Sequence, residues 1–137
     1  MRIPGGTAKY PHISNSSPVL ELLCGSGKGM SYFYDNGYRN LTGIEINPVA
    51  INIMKKTFPE VYRGSTIING TLEDALVKMK EQSFSLTYSV YVLSTVHPKS
   101  NFIFEHIARI TKNYIITLEA ENTLSPRHCP RDYKEIF

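Results

Sequence analysis

A glycine-rich turn and one carboxylate further along the chain could together hold a nucleoside. The turn is Cys24–Gly27, and it follows the apolar run Val19–Leu23. Glycines in such a turn let the backbone approach a ligand closely and leave N–H groups exposed at the start of the next helix. Glu45 lies 20 residues beyond Gly25, an offset at which an acidic side chain accepts hydrogen bonds from ribose hydroxyls. Each feature alone also fits a structural turn or a solvated strand end, but together they predict a nucleoside cofactor.

The residues of the same turn argue against two other nucleotide sites. A phosphate-binding Walker loop has a glycine, four further residues and then Gly-Lys-Ser/Thr. Here Gly27-Lys28 is followed by Gly29, and Leu22 stands in the first glycine position. A nicotinamide dinucleotide turn has the pattern Gly-x-Gly-x-x-Gly, and Met30 occupies its last position. The Walker loop is therefore excluded, whereas a nicotinamide site fits poorly but stays open as an alternative.

Strand-like and helix-like segments alternate along the chain and would position these residues. Short apolar runs predict strands at 19–23, 41–45, 66–69, 85–89 and 114–118. Helical spacing and helix-start signals predict the intervening helices at 28–36, 47–58, 72–80 and 101–110. Such alternation implies right-handed crossovers and a mostly parallel sheet with helices on both faces. The expected fold is therefore α/β, three-layered and Rossmann-like, with about five strands whose carboxyl ends carry the ligand site.

Four segments of the chain form an ordered set of motifs. They are Val19–Gly27, which has an acidic residue inside the first strand, and then Gly43–Pro48, Asn69–Asp74 and Phe84–Leu93. This set resembles the motifs of class I S-adenosylmethionine-dependent methyltransferases, and the similarity runs from about Val19 to Glu121. The resemblance implies a sheet of order 3-2-1-4-5 and S-adenosyl-L-methionine as cofactor, with S-adenosyl-L-homocysteine as product. It also implies a short form of the fold that lacks the usual C-terminal strand pair.

The resemblance further implies which residues would hold the cofactor. Glu45 would bind the ribose hydroxyls, Ile46 would flank the adenine, and Ser89 would lie near the sulfonium. The glycine turn and the loop after the third strand would supply the remaining contacts, from Glu21, Cys24, Gly25, Gly27, Leu72 and Glu73.

Three positions depart from the family pattern. Leu23 stands where the first motif usually has glycine, which implies a smaller methionine pocket. Thr71 stands where the loop after the third strand usually offers Asp, so Glu73 or Asp74 would have to compensate. Thr95 stands where a histidine often follows the fourth motif, with His97 two residues later.

His97 and Tyr91 are the candidates for chemistry at the methyl end. A histidine there could act as a general base, which methyl transfer needs only if the acceptor must lose a proton. The structural alternative is that His97 simply precedes a turn at Pro98. His128 and Cys129 are adjacent, but a zinc site needs more ligands than two, and no metal is expected.

Composition places the chain among ordinary globular domains. Its 137 residues, 42% hydrophobic content and net charge of +3 fit one domain over 1–137, with an irregular arm at 1–18 and a polar tail at 120–137. Two cysteines and the lack of any apolar run of signal-peptide or membrane length predict a cytoplasmic protein with no membrane partner. The mild charge, without a basic stripe, does not predict nucleic-acid binding.

Three functions remain in order of preference. The first is S-adenosylmethionine-dependent methyl transfer to a small-molecule acceptor. The second is a non-catalytic S-adenosylmethionine-binding module or partner within a complex, and the third is an NAD-dependent enzyme. The last strand would lie at an exposed sheet edge, which predicts a homo-oligomer formed through that edge.

Overall fold

Five strands form one parallel sheet in the computed structural model, which describes residues 13–119 and 131–137. The strands are β1 (Val19–Leu22), β2 (Leu41–Glu45), β3 (Thr66–Asn69), β4 (Phe84–Val90) and β5 (Thr111–Leu118). Their order is β3-β2-β1-β4-β5, and every neighbouring pair is parallel. This arrangement confirms the predicted α/β fold and its 3-2-1-4-5 sheet.

Six helices accompany the sheet in the described residues. They are α1 (Lys28–Asp35), α2 (Pro48–Thr57), α3 (Pro59–Gly64), α4 (Leu72–Lys78), α5 (Phe102–Ile110) and the short α6 (Tyr133–Ile136). The predicted start of α2 is confirmed, because the Asn47 side chain accepts a hydrogen bond from the Val49 N–H at 3.0 Å and Pro48 takes the first helical position. The helix α3 was not predicted. Pro59 was read only as the end of α2, whereas it also opens α3, a position where its missing N–H costs nothing.

The two faces of the sheet bury separate apolar clusters. One face packs Leu20, Leu22 and Ile44 against α4 and α5, including the fully buried Ile103 and Ile107. The opposite face packs against α1, α2 and α3, and its buried residues are Val19, Cys24, Met30, Phe33, Leu41, Met54, Val61, Leu86 and Tyr88. Because both faces are covered, the polar residues of the strands can reach a ligand only at the strand ends.

The sheet ends on one side at β5, which pairs with β4 alone in the described residues. The largest cavity in this part of the chain, about 690 Å³, lies along β5 and is closed partly by Tyr133 and Phe137. It is remote from the glycine turn and the carboxyl ends of β1 and β2. No helix within residues 13–119 and 131–137 is long and apolar enough to cross a membrane.

Parts of the predicted arm and tail fall in the described ranges. Residues 13–18 form turns without helix or strand, and Ile13 is buried. At the other end, the Tyr133 ring of α6 lies 6.2 Å from the Phe104 ring. The expectations for His128 and Cys129 lie outside the described residues.

Phe33→Ala should reduce the free energy of unfolding by about 3–5 kcal/mol, the usual cost of emptying a packed aromatic site. Phe33 is 1% exposed, and its ring lies 5.3 Å from that of Tyr38 and 5.0 Å from that of Tyr88. Urea unfolding measures the change. The matched control is Tyr32→Ala, since the neighbouring Tyr32 is 63% exposed; equal losses in both variants would contradict the packing described here.

Candidate functional site

The Glu45 carboxylate links the glycine turn to the start of the connection between β2 and β3. One of its oxygens, Oε2, accepts a hydrogen bond from the Gly25 N–H at 2.7 Å. The other, Oε1, accepts one from the Asn47 N–H at 2.8 Å. A carboxylate has about four lone-pair positions, so two remain for further donors. Glu45 thus lies at the end of β2 as a structural anchor with lone pairs left to accept further hydrogen bonds.

The end of β3 fixes the backbone that carries this carboxylate. The Asn69 side-chain amide donates to the Glu45 carbonyl at 2.9 Å and to the Ile46 carbonyl at 3.0 Å. The Gly70 N–H also donates to the Glu45 carbonyl, at 3.1 Å. The position of Glu45 is therefore set by three neighbouring segments: the glycine turn, the start of α2 and the end of β3.

In the turn after β1, the backbone lies very close to neighbouring side chains. Gly27 caps α1 with φ of 89°, and a Cβ there would lie 2.7 Å from Cγ of Met54. A Cβ on Gly29 would lie 2.8 Å from both Glu21 carboxylate oxygens. Glycine is needed at both positions, because any side chain would displace either the core or the buried carboxylate.

Leu23 occupies a left-handed conformation that favours glycine. Its φ is 52°, and it stands at the position where the resemblance led us to expect glycine. A side chain in this region costs about 1–2 kcal/mol because Cβ crowds the following carbonyl. Leu23 therefore adopts the backbone conformation that a glycine would adopt at this position, at the cost of backbone strain.

A cavity of about 280 Å³ lies at the carboxyl ends of the strands, beside this turn. Eight residues from the loops after β1, β2, β3 and β4 line it: Leu23, Ile46, Thr71, Leu72, Glu73, Thr95, Val96 and His97. Four of them, Ile46, Leu72, Glu73 and His97, are site residues that the sequence analysis singled out. Leu23, which stands where the family motif usually has glycine, contributes its side chain to the cavity wall.

Glu21 is a buried carboxyl directly beneath the turn. It is 7% exposed, and its Oε2 accepts a hydrogen bond from the Tyr88 hydroxyl at 2.6 Å. The pKa of Glu21 is raised to about 7, mainly by burial. The Tyr88 hydrogen bond acts to lower this pKa, and the negative charge of Glu45 acts to raise it. Two carboxyl groups close to one turn make this place favourable for a cation.

Cys24 contributes packing rather than a reactive thiol. Its side chain is 5% exposed, and its Sγ would lie 2.6 Å from a Cβ on Gly43. Burial raises the pKa of the Cys24 thiol to about 12, and the charges of Glu21 and Glu45 act in the same direction. The thiol therefore stays protonated at neutral pH, and Cys24 faces the turn only through its carbonyl, which accepts from the Gly27 N–H at 3.0 Å.

Ser89 and Tyr91 do not line the cavity. Ser89 is buried, and its hydroxyl donates to the Glu119 Oε1 at 2.9 Å. Tyr91 is 59% exposed, has φ of 54°, and its N–H donates to the Leu118 carbonyl at 2.7 Å. Both residues lie at the carboxyl end of β4, with Ser89 under the surface and the Tyr91 ring in solvent.

His97 lines the cavity but is engaged in a local cap. Its Nδ1 accepts a hydrogen bond from the Lys99 N–H at 3.1 Å, at the start of the single turn Pro98–Ser100. A neutral imidazole that accepts at Nδ1 carries its proton on Nε2, so the other nitrogen is a donor in this tautomer. The arrangement matches the structural alternative for His97 and does not place a free base at the cavity.

Sequence reasoning missed several residues of the site. Thr71, Thr95 and Val96 were not proposed as site residues, yet they line the cavity. Thr71 has a second task, since its Oγ1 accepts from the Asp74 N–H at 3.1 Å and caps α4. Thr71 could have been found from its place two residues after β3, whereas Thr95 and Val96 lie further from the end of β4 and carry no comparable signal. No group of three or more metal-binding side chains occurs within the described ranges.

The sequence matches a family described as a methyltransferase domain over residues 19–114. A search of curated proteins gives no match. Among solved structures, an S-adenosylmethionine-dependent methyltransferase from Archaeoglobus fulgidus superposes with a TM-score of 0.72 and 15% identity, covering 88% of this chain and 58% of that one.

Two further structures show the same fold. A methyltransferase from Mesorhizobium loti, also S-adenosylmethionine-dependent, has a TM-score of 0.64 and 17% identity, over 74% of this chain and 46% of that chain. A glycopeptide N-methyltransferase complexed with sinefungin has a TM-score of 0.59 and 18% identity, over 71% of this chain and 43% of that chain. The chain thus spans about half the length of the structures it resembles.

The Leu23→Gly variant should be more stable than Leu23→Ala by about 1 kcal/mol. Both substitutions remove the apolar side chain, but only glycine accepts a φ of 52° without crowding. Urea unfolding of the two variants isolates the backbone contribution, because the lost side-chain burial is nearly the same in each. An alanine variant as stable as the glycine variant would show that position 23 is not strained.

Glu21→Gln should remove a pH-dependent contribution to the free energy of unfolding. The folded pKa of about 7 lies above the ordinary 4.5, so the contribution of Glu21 is fully present below about pH 4.5 and is lost as the pH rises through 7. The stability of the wild type relative to the variant should fall by up to about 3 kcal/mol across this window. Urea unfolding of both proteins between about pH 4.5 and 8 measures it, and parallel pH profiles would contradict the assignment.

Proposed function

Because this chain belongs to the methyltransferase-domain family of class I S-adenosylmethionine-dependent enzymes, we propose that it binds S-adenosylmethionine at the carboxyl edge of its sheet and transfers the methyl group to a small molecule. One observation carries the proposal. The Glu45 carboxylate is fixed by the Gly25 and Asn47 N–H groups next to a cavity lined by Ile46, Leu72 and Glu73. A carboxylate with free lone pairs, near a cavity wall that includes the apolar Ile46 and Leu72, suits a ribose next to an adenine.

The residues present fit this cofactor. Glu45 would accept from the ribose hydroxyls, while Ile46 and Leu72 offer apolar surface for the adenine. The bare backbone at Gly25 and Gly27 would lie beside the amino-acid moiety. When bound, the cofactor supplies a methyl group activated by its attachment to a sulfonium.

The charge of the site favours a cationic nucleoside over a dinucleotide. Glu21 and Glu45 lie close to the turn, and the cavity lining contains neither Lys nor Arg. A pyrophosphate at the turn would meet two carboxyl groups, whereas an ammonium or sulfonium would be attracted to them. This electrostatic difference supports the methyltransferase proposal against an NAD-dependent enzyme.

Positioning rather than proton transfer is the catalytic contribution we propose for the chain. Methyl transfer from a sulfonium is an in-line displacement, and holding two reactants in line is worth about 7–11 kcal/mol. His97, with Nδ1 in a cap, would orient an acceptor through Nε2–H, and the Tyr91 hydroxyl would do so from the rim. An acceptor that needs no deprotonation fits this arrangement.

Exposed apolar side chains at the carboxyl ends of β4 and β5 support a small, partly apolar acceptor. Val90 is 46% exposed, Tyr91 59% and Leu118 53%, and the last two are neighbours because the Tyr91 N–H bonds to the Leu118 carbonyl. These three side chains form a rim at the carboxyl ends of β4 and β5. Such a rim would contact a small molecule entering from this side.

The second candidate is a cofactor-binding module without catalysis. It is favoured by the capped Nδ1 of His97 and by the absence of Tyr91 from the cavity lining, because neither candidate catalytic residue then offers a free base to the cavity. A labelled-methyl assay with candidate acceptors separates the two functions. Binding without turnover over a broad acceptor set would favour the module.

We also propose that the outer edge of β5 is covered by a second copy of the chain. In the described residues the eight-residue strand β5 pairs with β4 alone, and the cavity of about 690 Å³ along it gives room for partner side chains. A cytoplasmic location stays a prediction, supported by the free, buried thiol of Cys24.

Glu45→Gln should weaken the binding of S-adenosylhomocysteine about 10- to 100-fold, since hydrogen bonds to a charged acceptor contribute about 1.5–3 kcal/mol. Isothermal titration calorimetry gives the Kd, with urea unfolding as a check that the variant is folded. Glu60→Gln is the matched control, because Glu60 is exposed and does not line the cavity. No binding heat from the wild type with either S-adenosylmethionine or its demethylated product would refute the proposed function.

A further inference from the structure

We propose that Glu119 and Arg131 are positioning residues that together fix the loop after β4, residues 91–97, against the cofactor cavity. The inference rests on the proposed function, because the loop supplies three of the residues that line that cavity. Neither side chain lines the cavity itself. Their effect on the site is transmitted through the loop backbone.

Glu119 binds the N–H groups on one side of this loop. Its Oε1 accepts from the Ser89 hydroxyl at 2.9 Å, from the Val92 N–H at 3.1 Å and from the Leu93 N–H at 3.0 Å. Its Oε2 accepts from the Ser94 N–H at 3.3 Å. Four donors thus converge on one half-buried carboxylate directly after β5, and three of them are consecutive backbone N–H groups.

Arg131 binds the carbonyl groups of the same loop. Its guanidinium donates to the Leu93 carbonyl at 3.0 Å and to the Val96 carbonyl at 2.7 Å, and also to the Asn101 side chain at 2.9 Å. It lies 5.1 Å from the centre of the Phe104 ring, which orients its plane. The backbone of Leu93 is therefore bound at both ends. Its N–H donates to the Glu119 carboxylate, and its carbonyl accepts from the Arg131 guanidinium.

The loop needs such support because regular structure supplies little of it. It begins at Tyr91, whose φ of 54° is costly for a side chain and persists only where the surroundings enforce it. It contains one turn of 3-10 helix, Leu93–Thr95, and then leads directly into Val96 and His97 at the cavity wall. Charged groups form stronger hydrogen bonds than neutral ones, so the pair can hold this strained segment.

The test combines amide exchange of the ligand-free protein with cofactor binding. In Glu119→Ala, exchange at Val92, Leu93 and Ser94, followed by NMR, should become at least about tenfold faster, while exchange in the core strand β1 stays unchanged. Glu119→Gln keeps one side-chain oxygen, which still accepts from the three donors that bind Oε1. Amide exchange should therefore become faster only at Ser94, whose N–H binds Oε2. The Kd for S-adenosylhomocysteine should rise about tenfold in Glu119→Ala and Arg131→Ala, and far less in Glu119→Gln.

Glu81→Ala is the matched control, since Glu81 is exposed and lies at the opposite end of β4. Uniformly faster exchange through the sheet would assign a merely stabilising role to Glu119 and overturn the proposal. Loop protection that falls with no change in Kd would overturn it as well, because the loop would then not shape the cavity. If the wild type binds no S-adenosylhomocysteine, the proposed function fails, yet the exchange pattern, measured without ligand, still decides whether the pair holds the loop.

Discussion

The pairing of one carboxylate with two backbone N–H groups organises the whole carboxyl edge of this sheet. Glu45 binds the Gly25 N–H of the turn after β1 and the Asn47 N–H before α2, while its own carbonyl is bound from the end of β3. The connections that follow β1, β2 and β3 therefore meet at Glu45. Leu23 and Ile46, which line the cavity, stand one or two positions from these contacts.

A second consequence of this arrangement is electrostatic. Bringing the glycine turn onto Glu45 also places it above Glu21, whose proton is retained to about pH 7 by burial and by the neighbouring charge. Two carboxyl groups beside the turn, and a cavity lining without lysine or arginine, would favour a cationic ligand over a phosphate, which supports the cofactor that we propose. The fold is shared with sites that bind phosphates, and the residues at the strand ends decide the difference.

The strands and most helices were predictable from the sequence because apolar runs and glycine turns report local structure directly, whereas the sheet order was implied by the family resemblance. The helix α3 was missed because Pro59 signals an end and a beginning equally well. The site was only half predictable. Ile46, Leu72, Glu73 and His97 follow strands inside recognisable motifs, whereas the contacts of Glu119 span 25–30 residues along the chain and leave no local pattern. The tautomer of His97 likewise depends on a backbone N–H that sequence cannot place.

The packing of Cys24 has a protective consequence for the turn it belongs to. A thiol that is 5% exposed and stays protonated up to about pH 12 offers peroxides and electrophiles no thiolate to attack. Sulfenic acid formation at this position would require the strand edge to open first. The glycine turn is thereby shielded from oxidative damage at this thiol for as long as the native state persists.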